Sequence, residues 1–350
     1  MEPLVSVIIP VYNARAYLRQ CLDSVVNQTW RNLQILCVDD GSTDDSLRIL
    51  QEYAREDDRV QVFCKENEHV SMARNYALER VRGAYILFLD SDDWMDPETV
   101  ETAVRAARDQ DADVVLWSYV REMGTESRRK QIFAGDILFD REETRTRLYR
   151  RLIGPLGEET AHPENMDALS PSCVKLYRTE LIRDNNITFY DIRQIGTFED
   201  GLFNIEVFSH VRRAVFLERY FYHYRRDNND SLTRVYKPRL PDQWDKLYVL
   251  IQNHIDKGQV DDSFRAALSN RIALNLVGLG TNEMESSGSA GSKIRRIRQL
   301  LCKPHYRAAV KKLDLAPLPV YWKVFFLGAK AGSALGVYLL LVVIQKIRGR

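Results

Sequence analysis

Five short apolar runs, separated by segments of helical periodicity, constrain the fold of this 350-residue chain more than any other feature. Residues 4–9, 33–38, 61–63, 85–89 and 113–119 have the length and the β-branched or aromatic content of buried strands. Between them Leu18, Cys21, Leu22 and Val25, then Leu47, Leu50 and Ala54, then Val70, Ala73, Ala77 and Val81 recur at helical spacing. Strands alternating with helices of this length predict an α/β fold with a doubly wound, mainly parallel sheet. Pro10 is expected to end the first strand and Asn13 to lie near the cap of the helix after it. Asp96-Pro97 is expected to open the helix after the fourth strand.

In open α/β sheets, ligands sit at the carboxyl ends of strands. The fourth run delivers three carboxylates there, in Asp90-Ser91-Asp92-Asp93. Carboxylates so crowded repel unless a cation or donor groups lie between them. A hard divalent ion, Mg²⁺ or Mn²⁺, is the natural partner, and such ions usually hold substrate phosphates as well. A solvated acidic turn is the competing reading, although Asp96-Pro97 already supplies a helix cap. The first strand-to-helix turn, Pro10-Val11-Tyr12-Asn13-Ala14, lacks the glycines of a dinucleotide fingerprint, and Gly288 and Gly291 lack P-loop spacing.

A formal net charge of +1 argues against nucleic-acid binding by bulk charge. Five scattered cysteines without a CxxC pair suit reduced thiols in a cytosolic compartment and argue against a zinc site or a disulfide framework. Glu2-Pro3 and the short first apolar run give no secretory signal pattern.

Four motifs in order carry a resemblance. The stretches Val5-Ser6-Val7-Ile8-Ile9-Pro10-Val11-Tyr12-Asn13, Val38-Asp39-Asp40-Gly41-Ser42-Thr43-Asp44, Ala73-Arg74-Asn75 and Phe88-Leu89-Asp90-Ser91-Asp92-Asp93 resemble family 2 glycosyltransferases. These are bacterial-type, nucleotide-sugar-dependent enzymes of the GT-A (Rossmann-like) fold. The resemblance implies that Pro10, Tyr12 and Asp40 line the nucleoside pocket, with Asp40 accepting a hydrogen bond from the base. It places Arg74, Asp90 and Ser91 beside the nucleotide, and Asp92 and Asp93 at a DxD-type site for Mn²⁺ or Mg²⁺. Taken alone, Tyr12 reads as a core aromatic or a stacking surface, Arg74 as a phosphate partner or a solvated cation, and Asp39 as a turn-holder.

Further along, residues 121–130 read as a hairpin or exposed loop, 141–153 as a charged surface helix, and 154–171 as an irregular stretch on the acceptor side. Phe198-Glu199-Asp200-Gly201 resembles the family's acidic pair at a helix start, which implies Asp200 as the general base with Glu199 as its neighbour or an acceptor ligand. An acid-decorated helix N-terminus is the bland alternative. The aromatic strand 215–224 ends in His223-Tyr224-Arg225-Arg226. With Ser231-Leu232-Thr233-Arg234 it resembles a segment closing over the donor, where Arg225 approaches the diphosphate. His223, with no second histidine at ligand spacing, reads as packed rather than metal-bound.

The expected organisation is a catalytic domain over 1–235, an α-helical appendage over 236–285, and a tail over 286–350. Residues 285–292 read as a flexible linker. Residues 293–312 carry eight Lys or Arg and no acid, interleaved with Ile294, Ile297, Leu300 and Leu301, a basic amphipathic pattern suited to an anionic membrane. The uncharged run 331–344 has fourteen residues, short of the ~20 needed to span. Gly328, Gly332 and Gly336 are expected on one helical face. An in-plane anchor is favoured over a tilted span with Lys330 snorkelling and over a soluble helix covering the catalytic domain.

The resemblance implies an inverting, metal-assisted transfer from a nucleotide sugar, uridine being the family's commonest base, to a lipid-linked or cell-surface glycan. The enzyme is expected in the cytoplasm, peripheral on the inner membrane. A nucleotidyltransferase and a catalytically inactive glycan-binding scaffold are the competing readings.

Overall fold

The computed structural model describes residues 2–226 and 236–347. The described residues fall into two compact units. The first comprises residues 2–148, 170–193 and 197–226; the second comprises 149–169, 194–196 and 236–347.

The first unit is built on a mixed sheet in the order β3-β2-β1-β4-β9-β6-β10-β5, with β7 added to β6 and β8 to β10. Its strands are β1 (Val5–Val11), β2 (Leu33–Asp39), β3 (Val60–Cys64), β4 (Tyr85–Phe88), β5 (Trp94–Met95), β6 (Val114–Met123), β7 (Glu126–Lys130), β8 (Ile137–Phe139), β9 (Lys175–Arg178) and β10 (Ala214–Arg225). Every residue of β1, β2 and β4 is buried, as continuous apolar runs in a doubly covered sheet require. Val7 pairs with Ile35 of β2 and with Leu87 of β4, all in parallel, so the carboxyl ends of these three strands share one edge.

Helices α1 (Leu18–Val26), α2 (Ser46–Glu56), α3 (His69–Leu78) and α4 (Thr99–Asp109) follow strands as the periodicity requires. Pro10 does not end β1, which runs on to Val11. The last bond to the β4 side is Leu89 N–H to Ile8 O, so the missing N–H of Pro10 falls beyond that ladder. Asn13 is a loop tie, not a cap: its φ is 49° and its Oδ1 accepts from Thr43 N–H at 2.8 Å. Nor does Asp96-Pro97 open α4, which begins at Thr99, whose N–H reaches Asp96 O at 3.2 Å.

The sheet departs from parallel at β9, which runs antiparallel between β4 and β6. β10 pairs in parallel with β6, and its register shifts between Leu217 and Tyr222. That irregularity turns the second half of β10 onto β5, with His223 opposite Trp94. Residues 121–130 form the β6–β7 hairpin. The expected surface helix is instead α5 (Arg141–Glu143), a π-helical turn (Thr144–Tyr149) and α6 (Arg150–Ile153), with Thr144, Leu148 and Arg150 buried. Next come α7 (Thr179–Asp184), α8 (Ile192–Ile195) and α9 (Glu199–His210).

The second unit gathers α10 (Leu240–Lys257), α11 (Asp262–Met284), α12 (Ala290–Cys302), α13 (Pro304–Lys312), α14 (Val320–Lys330) and α15 (Ala334–Ile347). Buried Arg271 of α11 donates to Leu152 O at 3.0 Å and pairs with Asp167 at 2.8 Å, which ties the segment from Tyr149 to Leu169 into this unit. A Cβ on Gly154 would sit 2.1 Å from Ala267 O, so only glycine admits the close approach. The expected linker is short, because Ser289 caps a helix that already begins at Ala290. The three tail glycines do not share one helix. Gly332, at φ 67°, lies between α14 and α15 and closes α14 as a left-handed C-terminal residue. Among the described residues no helix is long and apolar enough to cross a membrane. Lys330 donates to Leu313 O at 2.9 Å.

Candidate active site

Arg74, on α3, is the hub of the first unit's acidic cluster. It is 2 % exposed. Its Nη2 meets Asp90 Oδ1 at 2.7 Å and its Nη1 meets Asp200 Oδ1 at 2.6 Å, while Glu199 Oε1 lies 3.8 Å from Nη1. Its guanidinium carbon lies 5.1 Å from the centre of the Phe189 ring. Asn75 fixes that phenylalanine by exchanging two 2.8 Å bonds with its backbone. The Ala73-Arg74-Asn75 motif thus braces two acidic turns far apart in sequence.

Three carboxylates around one buried cation leave a surplus of negative charge. Burial opposes the charge of Arg74, but Asp200, Asp90 and Glu199 outweigh it and hold its pKa above the ordinary value. Burial, then repulsion from Asp200, pushes Glu199 up to about 7. Burial also raises Asp90, despite Arg74. The second oxygen of Asp200 accepts from Ser172 N–H at 2.9 Å. Phe198 precedes this pair at φ 75°, a left-handed conformation costly for a bulky residue. A Cβ on Gly201 would lie 2.2 Å from Phe198 Cζ, so Gly201 makes room for the ring that sets up the turn.

The Asp90 turn divides its acids. Asp93 is buried at 1 % exposure and faces inward, with Tyr222 Oη donating to Oδ2 and Arg225 N–H to Oδ1 at 2.7 Å. Burial, then Asp92 and Asp90, drives its pKa well above the carboxylate range. The expected metal ligand Asp93 is therefore committed to protein donors. Asp92 and Ser91 are half-buried, and Asp92 O accepts from Arg225 Nε at 2.9 Å. The Arg225 guanidinium lies 4.7 Å from both the Tyr17 and Trp94 ring centres and reaches Gln20 Oε1 at 2.5 Å. His223 bonds Glu122 at 2.7 Å and Asp96 at 3.1 Å and stacks on Trp94, as a packed histidine would. Among the described residues no group of three His, Cys, Asp or Glu is arranged to hold a metal ion. Ser231-Leu232-Thr233-Arg234 lies outside the described residues.

At the carboxyl ends of β1 and β2, Pro10 is buried and Tyr12 is 51 % exposed, so Tyr12 is a surface ring and not core. Asp40 is 2 % exposed; its Oδ1 accepts from Lys65 Nζ at 2.9 Å and from Glu68 N–H at 3.0 Å. Asp39 Oδ2 accepts from Ser42 N–H at 3.3 Å and holds the turn. Sequence reasoning missed Lys65, Tyr17, Trp94 and Ser172. Only Trp94, next to the acidic motif, gave a local signal.

Residues 6–164 match the model of glycosyl transferase family 2. The protein named "Putative glycosyltransferase EpsH" of Bacillus subtilis (strain 168) is 28% identical over 330 residues, 94% of this chain and 92% of its own length. Among solved structures, S. aureus TarS 1-349 in complex with UDP-GlcNAc superposes with a TM-score of 0.69 at 20% identity, covering 99% of this chain and 92% of that one. The mannosyltransferase PcManGT from Pyrobaculum calidifontis, in complex with GDP-Man and Mn2+, gives 0.50 at 16% identity over 100% of this chain and 88% of its own. At such identities the two structures speak for the fold, here GT-A. With its four ordered motifs, this sheet and these likenesses, residues 6–164 form a family 2 glycosyltransferase segment.

Proposed function

We propose that this glycosyltransferase moves a sugar from a UDP-sugar to a hydroxyl of a lipid-linked or cell-surface glycan, with inversion and with Asp200 as general base. The observation that carries the reading is the Arg74 guanidinium shared by Asp90 and Asp200, which sets a donor-side and an acceptor-side carboxylate around one point. Asp200 takes the acceptor proton as the acceptor oxygen attacks the anomeric carbon. The bond to the diphosphate oxygen breaks on the opposite face, and the nucleoside diphosphate departs. Glu199, with a proton affinity near neutrality, holds the acceptor hydroxyl beside the base.

Tyr12 offers the stacking face, Pro10 shapes the pocket floor, and the second oxygen of Asp40 receives the base N–H. Ser91 and Asp90 flank the ribose and diphosphate. Arg225, stiffened between two rings, draws charge from the leaving group. Burial raises Asp90 and Asp93, and repulsion from Asp200 and Asp92 on the first and from Asp92 and Asp90 on the second adds to it, a surplus that a cation relieves, so Asp92 with Asp90 fits Mn²⁺ or Mg²⁺. When bound there, such an ion neutralises charge on the departing diphosphate. TarS with UDP-GlcNAc supports the uridine donor, and PcManGT with Mn2+ supports the ion. The same reading keeps residues 1–235 as the catalytic segment, and it sets the enzyme at the cytoplasmic face of a membrane, where a lipid-linked acceptor resides.

A panel of nucleotide sugars with Mn²⁺ or Mg²⁺, scored for diphosphate release, tests this reading. Asp92→Ala should weaken nucleotide and metal binding. Asp200→Ala should leave donor binding intact and lower transfer by roughly 10²–10⁴-fold. Parental transfer by both variants ends the assignment.

A further inference from the structure

Seven of the ten exposed large hydrophobic side chains among the described residues lie on α14 and α15. Val320, Val324 and Leu327 follow i, i+4, i+7 spacing on α14, and Leu335, Leu339 and Val343 follow i, i+4, i+8 on α15, so each set forms one stripe. The opposite stripes are apolar too. Trp322, Phe325, Phe326 and Ala329 of α14, and Val337 and Leu341 of α15, are buried within the second unit. Helices apolar on both faces are at home when both faces are covered, and a concentration like this is a patch, unlike singly scattered residues.

The charges around the patch choose its occupant. No Asp or Glu occurs after Asp314, whereas Lys323, Lys330 and Lys346 lie along the hairpin. α12 packs on α15 and α13 on α14, so two basic helices flank it. On them Arg295, Arg298, Arg307, Lys311 and Lys312 are exposed and form no side-chain ion pair among the described residues. A second copy of the chain would bring the same positive fringe to the contact and repel. At 11 and 14 residues, ~16 and ~21 Å long, neither helix reaches across ~30 Å of hydrocarbon.

We propose that the α14–α15 hairpin lies in the plane of an anionic bilayer, its outer stripe among the acyl chains and the α12–α13 cations on the headgroups. This rests on the membrane-side reading above for its purpose and gives it a physical surface. The hairpin replaces the tilted span, since Gly332 divides the apolar run.

Flotation of the full chain with phosphatidylcholine vesicles, with and without phosphatidylglycerol, tests the surface. The parent should float with the anionic vesicles, and added salt should weaken its capture. Val324→Glu with Leu339→Glu, and separately Arg295→Glu, Arg298→Glu and Lys311→Glu together, should each lower capture by about tenfold or more with unchanged melting curves. Parental capture by both variants, or a lipid-free dimer of the parent that the glutamates abolish, overturns the proposal. UDP binding measured without vesicles judges the donor-site reading separately. A chain that floats but binds no UDP sinks that reading and leaves this one standing.

Discussion

The two acidic turns of the first unit solve the same problem of crowded carboxylates in opposite ways. The Asp90 turn follows β4 and spreads its load: Asp90 goes to Arg74, while Asp93 turns inward to Tyr222 and the Arg225 amide. The Glu199 turn opens α9 and concentrates its load, with two adjacent acids, a strained Phe198 and a share of the same Arg74. A turn with its own donors can keep one acid facing outward for a ligand. A turn that concentrates its acids on a shared cation depends on that cation, so the Glu199 turn is the more fragile half.

Removing the shared cation is the largest perturbation. Arg74→Met strands Asp90 and Asp200 in a buried cluster, and breaking a buried pair from one side typically costs about 3–5 kcal/mol. Chemical denaturation should show a loss of that order, with transfer falling further than in the Asp200 variant. Arg74→Lys keeps the charge but lacks the fork that serves two carboxylates at once, so it should restore stability more than activity. If Arg74→Met instead keeps parental transfer, the two turns are independent and the contrast between them fails.

An intermediate effect separates the two fates within the Asp90 turn. Asp93 is held by two protein donors, and burial raises its pKa, so the neutral asparagine, which keeps one acceptor oxygen, is a mild change there. Asp93→Asn should transfer sugar within about tenfold of the parent, whereas Asp92→Asn should lose metal-stimulated activity by a larger factor. Equal, severe losses would return Asp93 to the metal site and erase the distinction between inward and outward acids.

Much of this site was legible from spacing because local rules governed it. The apolar runs of β1, β2 and β4 are fully buried, and parallel pairing sets Tyr12, Asp40 and Asp90 at one edge with no long-range information. What was illegible depended on partners distant in sequence. Asp93 faces inward because of Tyr222, 129 positions away, and Arg74 is buried because Asp200, 126 positions away, returns to it. The antiparallel direction of β9 was hidden for a similar reason. Its strand carries Lys175, fully buried, pushed down to about 8 by burial and donating to Pro171 O, a pattern no periodicity rule favours. Gly332 concealed a hairpin, since its spacing to Gly328 and Gly336 also fits one continuous helix.

The smallest expected effect tests the concentrated turn through stability. Glu199 rises from an ordinary 4.5 to about 7, so between those values the folded chain holds a proton that the unfolded chain has released. Stability contributed by that proton is complete below about 4.5 and declines as pH climbs to about 7. Glu199→Gln removes the titration, so its denaturation midpoint should change less with pH across this window. Above neutrality the variant should gain up to ~1–2 kcal/mol relative to the parent, discounted from the full shift because glutamine also gives up its attraction to Arg74. The parent's transfer rate should meanwhile rise across the same interval as Glu199 ionises beside Asp200, and the glutamine variant should lack that limb. A variant with the parent's pH slope in both measurements would mean that the acids of the Glu199 turn are as well neutralised as those of the Asp90 turn, and the two turns would then be alike.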